Sequence, residues 1–226
     1  MLAAIMEPHY QSLTVALVPQ TWTSPPDPFD KDELQRVFSE VIRHHPYQAF
    51  EFIFDGRGAQ FSNGEDDLVE LRPSLVRVQA QMDGPEVLPA RSAAEKADRI
   101  FKIAAERLNL GGFFQCGIQI IAFVDAPEGD AQAFVADHLL KDGAQAEILG
   151  PSFFGGGVRF RRLRPDEGGD DSLSIEPSVR DNSQVFLEYV VNRSALTGPI
   201  TLPEVATWTE SALDFLAGPT IQLLSR

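Results

Sequence analysis

The sequence predicts an α+β fold, a curved antiparallel sheet with helices packed on one of its faces. Three observations lead to this fold. Short stretches such as "LVRVQAQM" (75–82) alternate apolar and polar residues, which is typical of strands with one buried face. Four other stretches carry apolar residues at helical spacing. Strands and helices also follow one another in the same order twice along the 226 residues, which indicates an internal duplication.

Four segments are predicted to be amphipathic helices, because each follows a residue that favours a helix N-terminus. The four caps are Asp30, Ser92, Asp130 and Thr201, and the helices are expected to end near His45, Gly111, Gly143 and Gly218, respectively. In three of them a glutamate follows three residues after the cap, as in a capping box. These glutamates are Glu33, Glu95 and Glu204.

Short apolar or alternating stretches between the helices are predicted to be strands. The expected strands are 12–18, 49–55, 59–63, 68–72, 75–82, 116–124, 156–163, 172–176 and 184–191. In "AFEFIFD" (49–55), Phe50, Phe52 and Phe54 should share one face. In "LVRVQAQM", Val76 and Val78 should face the helices.

The two halves of the chain are predicted to be repeats of one strand–helix–strands–helix unit. Pro73-Ser74 and Pro177-Ser178 lie 104 residues apart, and a shift of 104 carries the first strand into 117–122. A third copy, Pro151-Ser152, has no such setting, so chance stays an alternative for the Pro-Ser pairs. We expect pseudo-repeats at 1–110 and 111–226 that join edge to edge as one compact domain.

This order of elements resembles the duplicated saddle of the TATA-box-binding protein. The regions "LVELRPS" (68–74) and "LPEVATWTESALDFL" (202–216) are also similar to an uncharacterised, sporadically distributed bacterial family. The first resemblance implies a long curved sheet with an open face. The second offers no catalytic residues to carry over to this chain.

Charge and composition limit the classes of partner. The formal net charge is −14, and a surface of this sign repels nucleic-acid backbones. The acidity is interpreted as a means of solubility, with a basic partner or mimicry of DNA as the alternatives. The single cysteine, Cys116, the absence of a signal-peptide pattern and the short apolar runs predict a cytoplasmic protein without a membrane segment.

A run of arginines is the richest local feature of this acidic chain. It lies in "SFFGGGVRFRRLRP" (152–165) and contains Arg159, Arg161, Arg162 and Arg164. Its glycines would let a ligand or another backbone approach closely, but it matches neither a P-loop nor a dinucleotide fingerprint. It is interpreted as a site for an anion or acidic partner, or as a strand that pairs with acidic residues. "DEGGDD" (166–171) would supply those acids from a solvated hairpin tip.

Further candidates for ligand or partner contact lie elsewhere in the chain. Arg72, Arg77 and Gln79 should point away from the helices on the open sheet face. Trp22, in a proline-rich loop, is interpreted as a core anchor or as a contact for a partner. The pair His44-His45 and the apolar setting of Cys116 favour structural roles, and no metal or cofactor is expected.

The pattern as a whole favours a non-enzymatic binding or adaptor protein that uses the polar sheet face or its rim. One alternative is a binder of anionic small molecules, or an enzyme, with a pocket between the halves near Arg159 and Arg161. A second alternative is an acidic DNA mimic that acts on a basic protein. A protein partner or a small anion is expected, nucleic acid is not, and exposed sheet edges are compatible with a homodimer.

Overall fold

The computed structural model describes residues 6–20, 29–64, 67–82, 90–139 and 156–225. The strands are β1 (His9–Pro19), β2 (Ala49–Ile53), β3 (Gly58–Ser62), β4 (Leu68–Arg72), β5 (Leu75–Gln81), β6 (Phe113–Asp125), β7 (Val158–Arg164), β8 (Gly169–Pro177) and β9 (Gln184–Ser194). The helices are α1 (Lys31–Val41), α2 (Ala90–Arg107), α3 (Ala131–Leu139), α4 (Leu202–Phe215) and α5 (Ile221–Leu224). None of these helices has the length and apolar character needed to cross a membrane.

The strands form one antiparallel sheet in the order β2-β3-β4-β5-β1-β6-β9-β8-β7. This confirms the predicted α+β fold. β1 and β6, the first strands of the two predicted repeats, pair at the centre, where Leu13 lies opposite Ile120 and Val15 opposite Ile118. Each of these strands has the last strand of its own half on its other side. A duplication would produce this order, and the duplication itself stays a prediction.

The helices cover one face of the sheet, as the alternation predicts. In β5, Val76, Val78 and Ala80 are buried, while Arg77 and Gln79 lie on the other face and are partly exposed. The buried residues of both halves form one continuous hydrophobic core. The uncovered side is called the open face below.

The end of α2 lies at Arg107 and not near Gly111, and three further predicted helix bounds are wrong. The side chain of Asp30 does cap α1, but α1 ends at Val41 and the residues up to His45 form a non-helical turn before Pro46. α2 already begins at Ala90, so Ser92 lies inside its first turn and is not its cap.

The third correction concerns the chain end, where Gly218 does not stop the last helix. A π-helical turn (Leu216–Thr220) joins α4 to α5 and contains Pro219, which lacks the backbone N–H of a regular helix. The α3 cap, Asp130, is confirmed by a hydrogen bond from Ala133 N at 3.0 Å. The expected end of α3 at Gly143 lies outside the described residues.

The expected strand 49–55 is shorter than predicted. Phe50 and Phe52 follow the alternation of β2, but Phe54 and Asp55 take left-handed φ angles of 51° and 54° in a 3₁₀ turn. Phe54 therefore leaves the phenylalanine row, and the guanidinium of Arg72 lies 5.0 Å from the centre of its ring.

Candidate functional site: an arginine-lined cleft

The four arginines of β7 divide between the two faces of the sheet, because successive strand residues point to opposite sides. Arg159 and Arg161 project from the open face. Arg162 and Arg164 project from the face that α4 partly covers, where Arg162 lies opposite Asp171. The sequence therefore identified one run that the structure separates into two pairs.

Arg162 and Arg164 converge with Arg193 of β9 on a single carboxylate, that of Asp171. Arg162 Nη2 and Arg164 Nε lie 2.6 Å and 3.1 Å from Asp171 Oδ2, and Arg193 Nη2 lies 2.8 Å from Oδ1. The side chains of Asp171 and Arg193 are each only 3% exposed. Asp171 is thus buried inside β8, and its assignment to a solvated hairpin tip is wrong.

The turn that precedes β8 completes the cluster. Glu167 Oε2 accepts a hydrogen bond of 2.9 Å from Arg193 Nε, and Arg193 Nη1 donates to the carbonyls of Asp170 and Asn192. These bonds, with the Asp171 contact, engage all three nitrogens of the Arg193 guanidinium, so its role is to hold the carboxylates in place. Burial of a charge is tolerated only with such partners.

Arg193 was missed by the sequence-based prediction, although a signal for it exists. The buried residues of β9 recur at every second position, Val185, Leu187, Tyr189 and Val191, so the next position in that row should also face inward. An arginine at an inward position requires a buried counterion, and the acidic stretch 166–171 precedes the strand that pairs with β9.

Aromatic rings line the cleft between the arginines and α4. The guanidinium carbon of Arg162 lies 5.4 Å from the ring centre of Phe215, and that of Arg193 lies 5.6 Å from Trp208. Phe215 also stacks on Tyr189, with ring centres 4.7 Å apart. The cleft has a volume of about 540 Å³ and is bounded by β7–β9, α4 and the π-helical turn.

The surroundings fix the charge state of the cleft. Burial alone raises the pKa of Asp171, but the hydrogen bonds from Arg162, Arg193 and Arg164 outweigh it and hold that pKa below the ordinary value. Burial, and then the nearby Asp171 carboxylate, raises the pKa of Tyr189 to about 12. At neutral pH the cleft therefore presents ionised arginines, an ionised aspartate and a neutral phenol.

The remaining candidates on the open face lie apart from the cleft. Arg72 Nε and Arg77 Nη2 each lie 3.0 Å from a different carboxylate oxygen of Glu70, which is itself only 8% exposed. Gln79 is a neighbour on the same face. Arg72, Arg77 and Gln79 lie on β4 and β5, in the other half of the sheet from β7, so they do not contribute to the cleft at Arg162. Trp22 lies outside the described residues.

On the β7 side of the open face, Arg161 Nε donates to Asp170 at 2.9 Å and Arg159 Nη2 to the hydroxyl of Ser172 at 3.3 Å. The cleft is lined by neither of these arginines and lies within the second half. The cleft is therefore not the pocket that the sequence analysis expected between the two halves near Arg159 and Arg161. Gly157 serves strand packing, because a Cβ there would lie 2.7 Å from the carbonyl oxygen of Ile175.

The structural role expected for Cys116 agrees with its surroundings. Cys116 is 2% exposed, and burial raises the pKa of its thiol to about 12, which disfavours the nucleophilic thiolate. Within the described ranges, no group of three or more His, Cys, Asp or Glu side chains is arranged to hold a metal ion.

Comparison with known proteins gives no family. No protein-family model matches the chain, and no curated protein matches it. A solved structure of an alkyldihydroxyacetonephosphate synthase matches with a TM-score of 0.18 and 8% identity, over 99% of this chain and 43% of the synthase chain. A TM-score this low carries no argument, so the site has to be interpreted from its own residues.

Proposed function

We propose that this protein is a non-enzymatic binding protein and that the cleft at the rim of its sheet takes an anionic group. The observation that carries the proposal is the local charge balance. Among the described residues, the three arginines of the cleft, Arg162, Arg164 and Arg193, form ion pairs with two carboxylates, Asp171 and Glu167. The third acid of the lining, Asp214, pairs with Arg91 outside the lining, so the arginines of the cleft outnumber the carboxylates that they bind, in a chain whose net charge is −14. An incoming anion would complete the balance.

Accessible donors remain for such an anion. The side chains of Arg162 and Arg164 are 49% and 33% exposed. Among the described residues, Nη1 of Arg162 and Nη2 of Arg164 donate no hydrogen bond. The exposed carboxylate of Asp214, at the rim, lies 3.4 Å from Arg91 and so has a cation of its own. The planar guanidinium groups suit bidentate contacts with a carboxylate or phosphate.

The chemistry of the lining favours binding over catalysis. Among the described residues, neither a histidine nor a cysteine lines the cleft, and its tyrosine, Tyr189, is held neutral by a raised pKa of about 12. General acid–base or nucleophilic catalysis near neutral pH needs a group whose pKa lies closer to that range. The rings of Trp208 and Phe215, each with a guanidinium group over it, instead hold Arg193 and Arg162 in position for a ligand.

The open face has less support as the binding site, because three of its four candidate arginines, Arg72, Arg77 and Arg161, are paired with carboxylates of the same face. Glu70 is shared by Arg72 and Arg77, and Asp170 is bound by Arg161 and Asn192. The same pairing weakens the case for DNA mimicry, which needs rows of carboxylates that are free to meet a basic protein. A protein carrying the anion and a small anionic molecule both fit the cleft.

The test is a thermal-shift titration with citrate and with inorganic phosphate, at an ionic strength held constant with chloride. A ligand that binds only the folded state raises Tm, by the equivalent of about 2.7 kcal/mol at one hundred times its Kd. We expect such a rise for the wild type and for Arg161→Gln, whose changed residue lies on the opposite face. Arg162→Gln should abolish it. An equal rise in both variants, or none in the wild type, would contradict the proposal.

A further inference from the structure

β7 is an edge strand whose outer side is exposed. Within the described part of the chain it pairs with β8 alone and stands at one end of the strand order. Five consecutive residues, 159–163, are exposed, among them Phe160 at 47% and Leu163 at 68%. An exposed edge presents backbone N–H and C=O groups that can pair with an added strand.

The side chains of this edge select the charge of an added strand. Arginines project from both of its faces, Arg159 and Arg161 on one side and Arg162 and Arg164 on the other. A second copy of the chain that paired through β7 would bring arginine rows together, and like charges on neighbouring strands are destabilising. A strand with carboxylates on both of its faces would meet opposite charge on each side.

β8 already provides an example of this complementarity inside the fold. Its Asp171 lies directly opposite Arg162 and binds it, and its Asp170 binds Arg161. These acids do not satisfy the whole edge. In the described residues Arg159 forms no ion pair, and its guanidinium donates a hydrogen bond of 3.3 Å to the neutral hydroxyl of Ser172.

We infer that β7 accepts an extended acidic segment of a partner protein as an additional strand of the sheet. The inference rests on the proposed function, since carboxylates on one side of the segment would enter the cleft beside Arg162 and Arg164. Carboxylates on its other side would meet Arg159 and Arg161. Main-chain hydrogen bonds to β7 would supply affinity, and the arginines would make the site specific for acidic sequences.

The probe is a fluorescein-labelled peptide with the sequence of β8, "GDDSLSIEP", because that sequence already pairs with β7 in the fold. Binding is followed by fluorescence anisotropy on the full chain. Two further peptides carry N-methyl groups at alternate residues, one at the even and one at the odd positions of β8. Successive residues of a strand direct their N–H groups to opposite sides. One methylated peptide should therefore bind at least tenfold more weakly, while the other binds like the parent.

Two proline variants test the same pairing from the protein side. Phe160 and Leu163 are three residues apart, so their N–H groups point to opposite sides of β7, one towards β8 and one outward. Phe160→Pro and Leu163→Pro are made separately, and one of them removes the N–H that points outward. That variant should keep the wild-type Tm and no longer bind the peptide. Phe160→Ala and Leu163→Ala, which keep the N–H, should bind it. If both prolines prevent folding, the methylated peptides still decide.

The outcomes separate this inference from the proposed function. Equal binding of both methylated peptides would overturn strand pairing and leave the anion site standing. Absence of peptide binding, while citrate still raises Tm through Arg162, would also overturn it. Methylation-sensitive peptide binding without any response to citrate or phosphate would support the pairing and count against the small-anion site.

Discussion

At the scale of single residues, Asp170 and Asp171 are neighbours in one strand, yet their carboxylates differ in burial and in the face of the sheet on which they lie. Both are aspartates of β8, but Asp170 projects from the open face and Asp171 into the cleft, where its side chain is 3% exposed. The sequence alone assigns both to a polar turn. Their different burial depends on the start of β8 and on Arg193, which is distant in sequence, so local composition could not separate them.

This difference predicts the stability of two matched variants. Asp171→Asn leaves the buried guanidinium of Arg193 without its full counterion, and breaking a buried ion pair costs about 3–5 kcal/mol. Asp170→Asn changes the more exposed partnership with Arg161, and such pairs contribute about 0–1 kcal/mol. Urea unfolding at pH 7 gives both free energies. A cost for Asp171→Asn no greater than that for Asp170→Asn would mean that the buried cluster does not stabilise the fold.

The pH dependence of the Asp171 effect has a defined sign. Its pKa in the folded protein lies below the ordinary value of 3.8, so the folded state favours the ionised form. The contribution to stability is then complete above about pH 4 and is lost as the pH falls through the lowered pKa. The difference between wild type and Asp171→Asn in urea unfolding should therefore shrink below about pH 4.

At the scale of elements, caps were predicted better than ends. Thr201 and Glu204 form the expected capping box of α4, with Thr201 N donating to the Glu204 carboxylate at 2.8 Å. That interaction is local, so three residues of sequence suffice to predict it. The predicted helix end at Gly218 was wrong, because tertiary packing decides whether a helix stops at a glycine. Leu216 and Leu224 are buried, and continuing through a π-helical turn keeps both in the core.

The π-helical turn leaves a testable defect. Thr220 is 1% exposed, and within the described structure its hydroxyl oxygen has no hydrogen-bond partner, whereas the buried hydroxyl of Thr209 donates to Val205 O at 2.8 Å. Thr220→Val should raise the free energy of unfolding by about 1 kcal/mol, because it removes an unsatisfied buried polar group.

The matched variant Thr209→Val removes a satisfied hydroxyl and should lower that free energy by up to about 1 kcal/mol. Urea titrations of both variants under one set of conditions make the comparison. Thr220→Val proving the more destabilising of the two would indicate that its hydroxyl has a partner in solution.

At the scale of the whole molecule, the order of elements agrees with the prediction, whereas the predicted constant spacing of 104 residues does not hold at β1. A shift of 104 residues carries Val69 and Leu71 to Leu173 and Ile175, and all four residues are buried. The same shift carries the buried Leu13 to a different setting, Gly117 on the open face. The buried residues of β1 have odd numbers, and those of β6 from Cys116 to Val124 have even numbers. Only a shift by an odd number of residues therefore places the buried residues of β1 on these buried positions of β6.

The single core and the central β1–β6 pair predict one cooperative unfolding transition. In the variant Trp22→Phe, Trp208 is the remaining tryptophan and reports on the second half, while far-UV circular dichroism reports on both. The two signals should give the same urea midpoint, since neither half can expose its face of the core alone. Separate midpoints would instead assign an independent domain to each half.

The central position of β1 also has a consequence for synthesis of the chain on the ribosome. β1 is made before both of its partner strands, because Leu13 pairs with Ala80 on one side and with Ile120 on the other. The edge of β1 towards β5 can pair only after Gln81 has been made, and the edge towards β6 stays unsatisfied until the chain has been translated as far as Asp125. Such distant pairings slow folding and prolong the exposure of apolar strands. A nascent chain stalled before β6 emerges would be the form most dependent on chaperones.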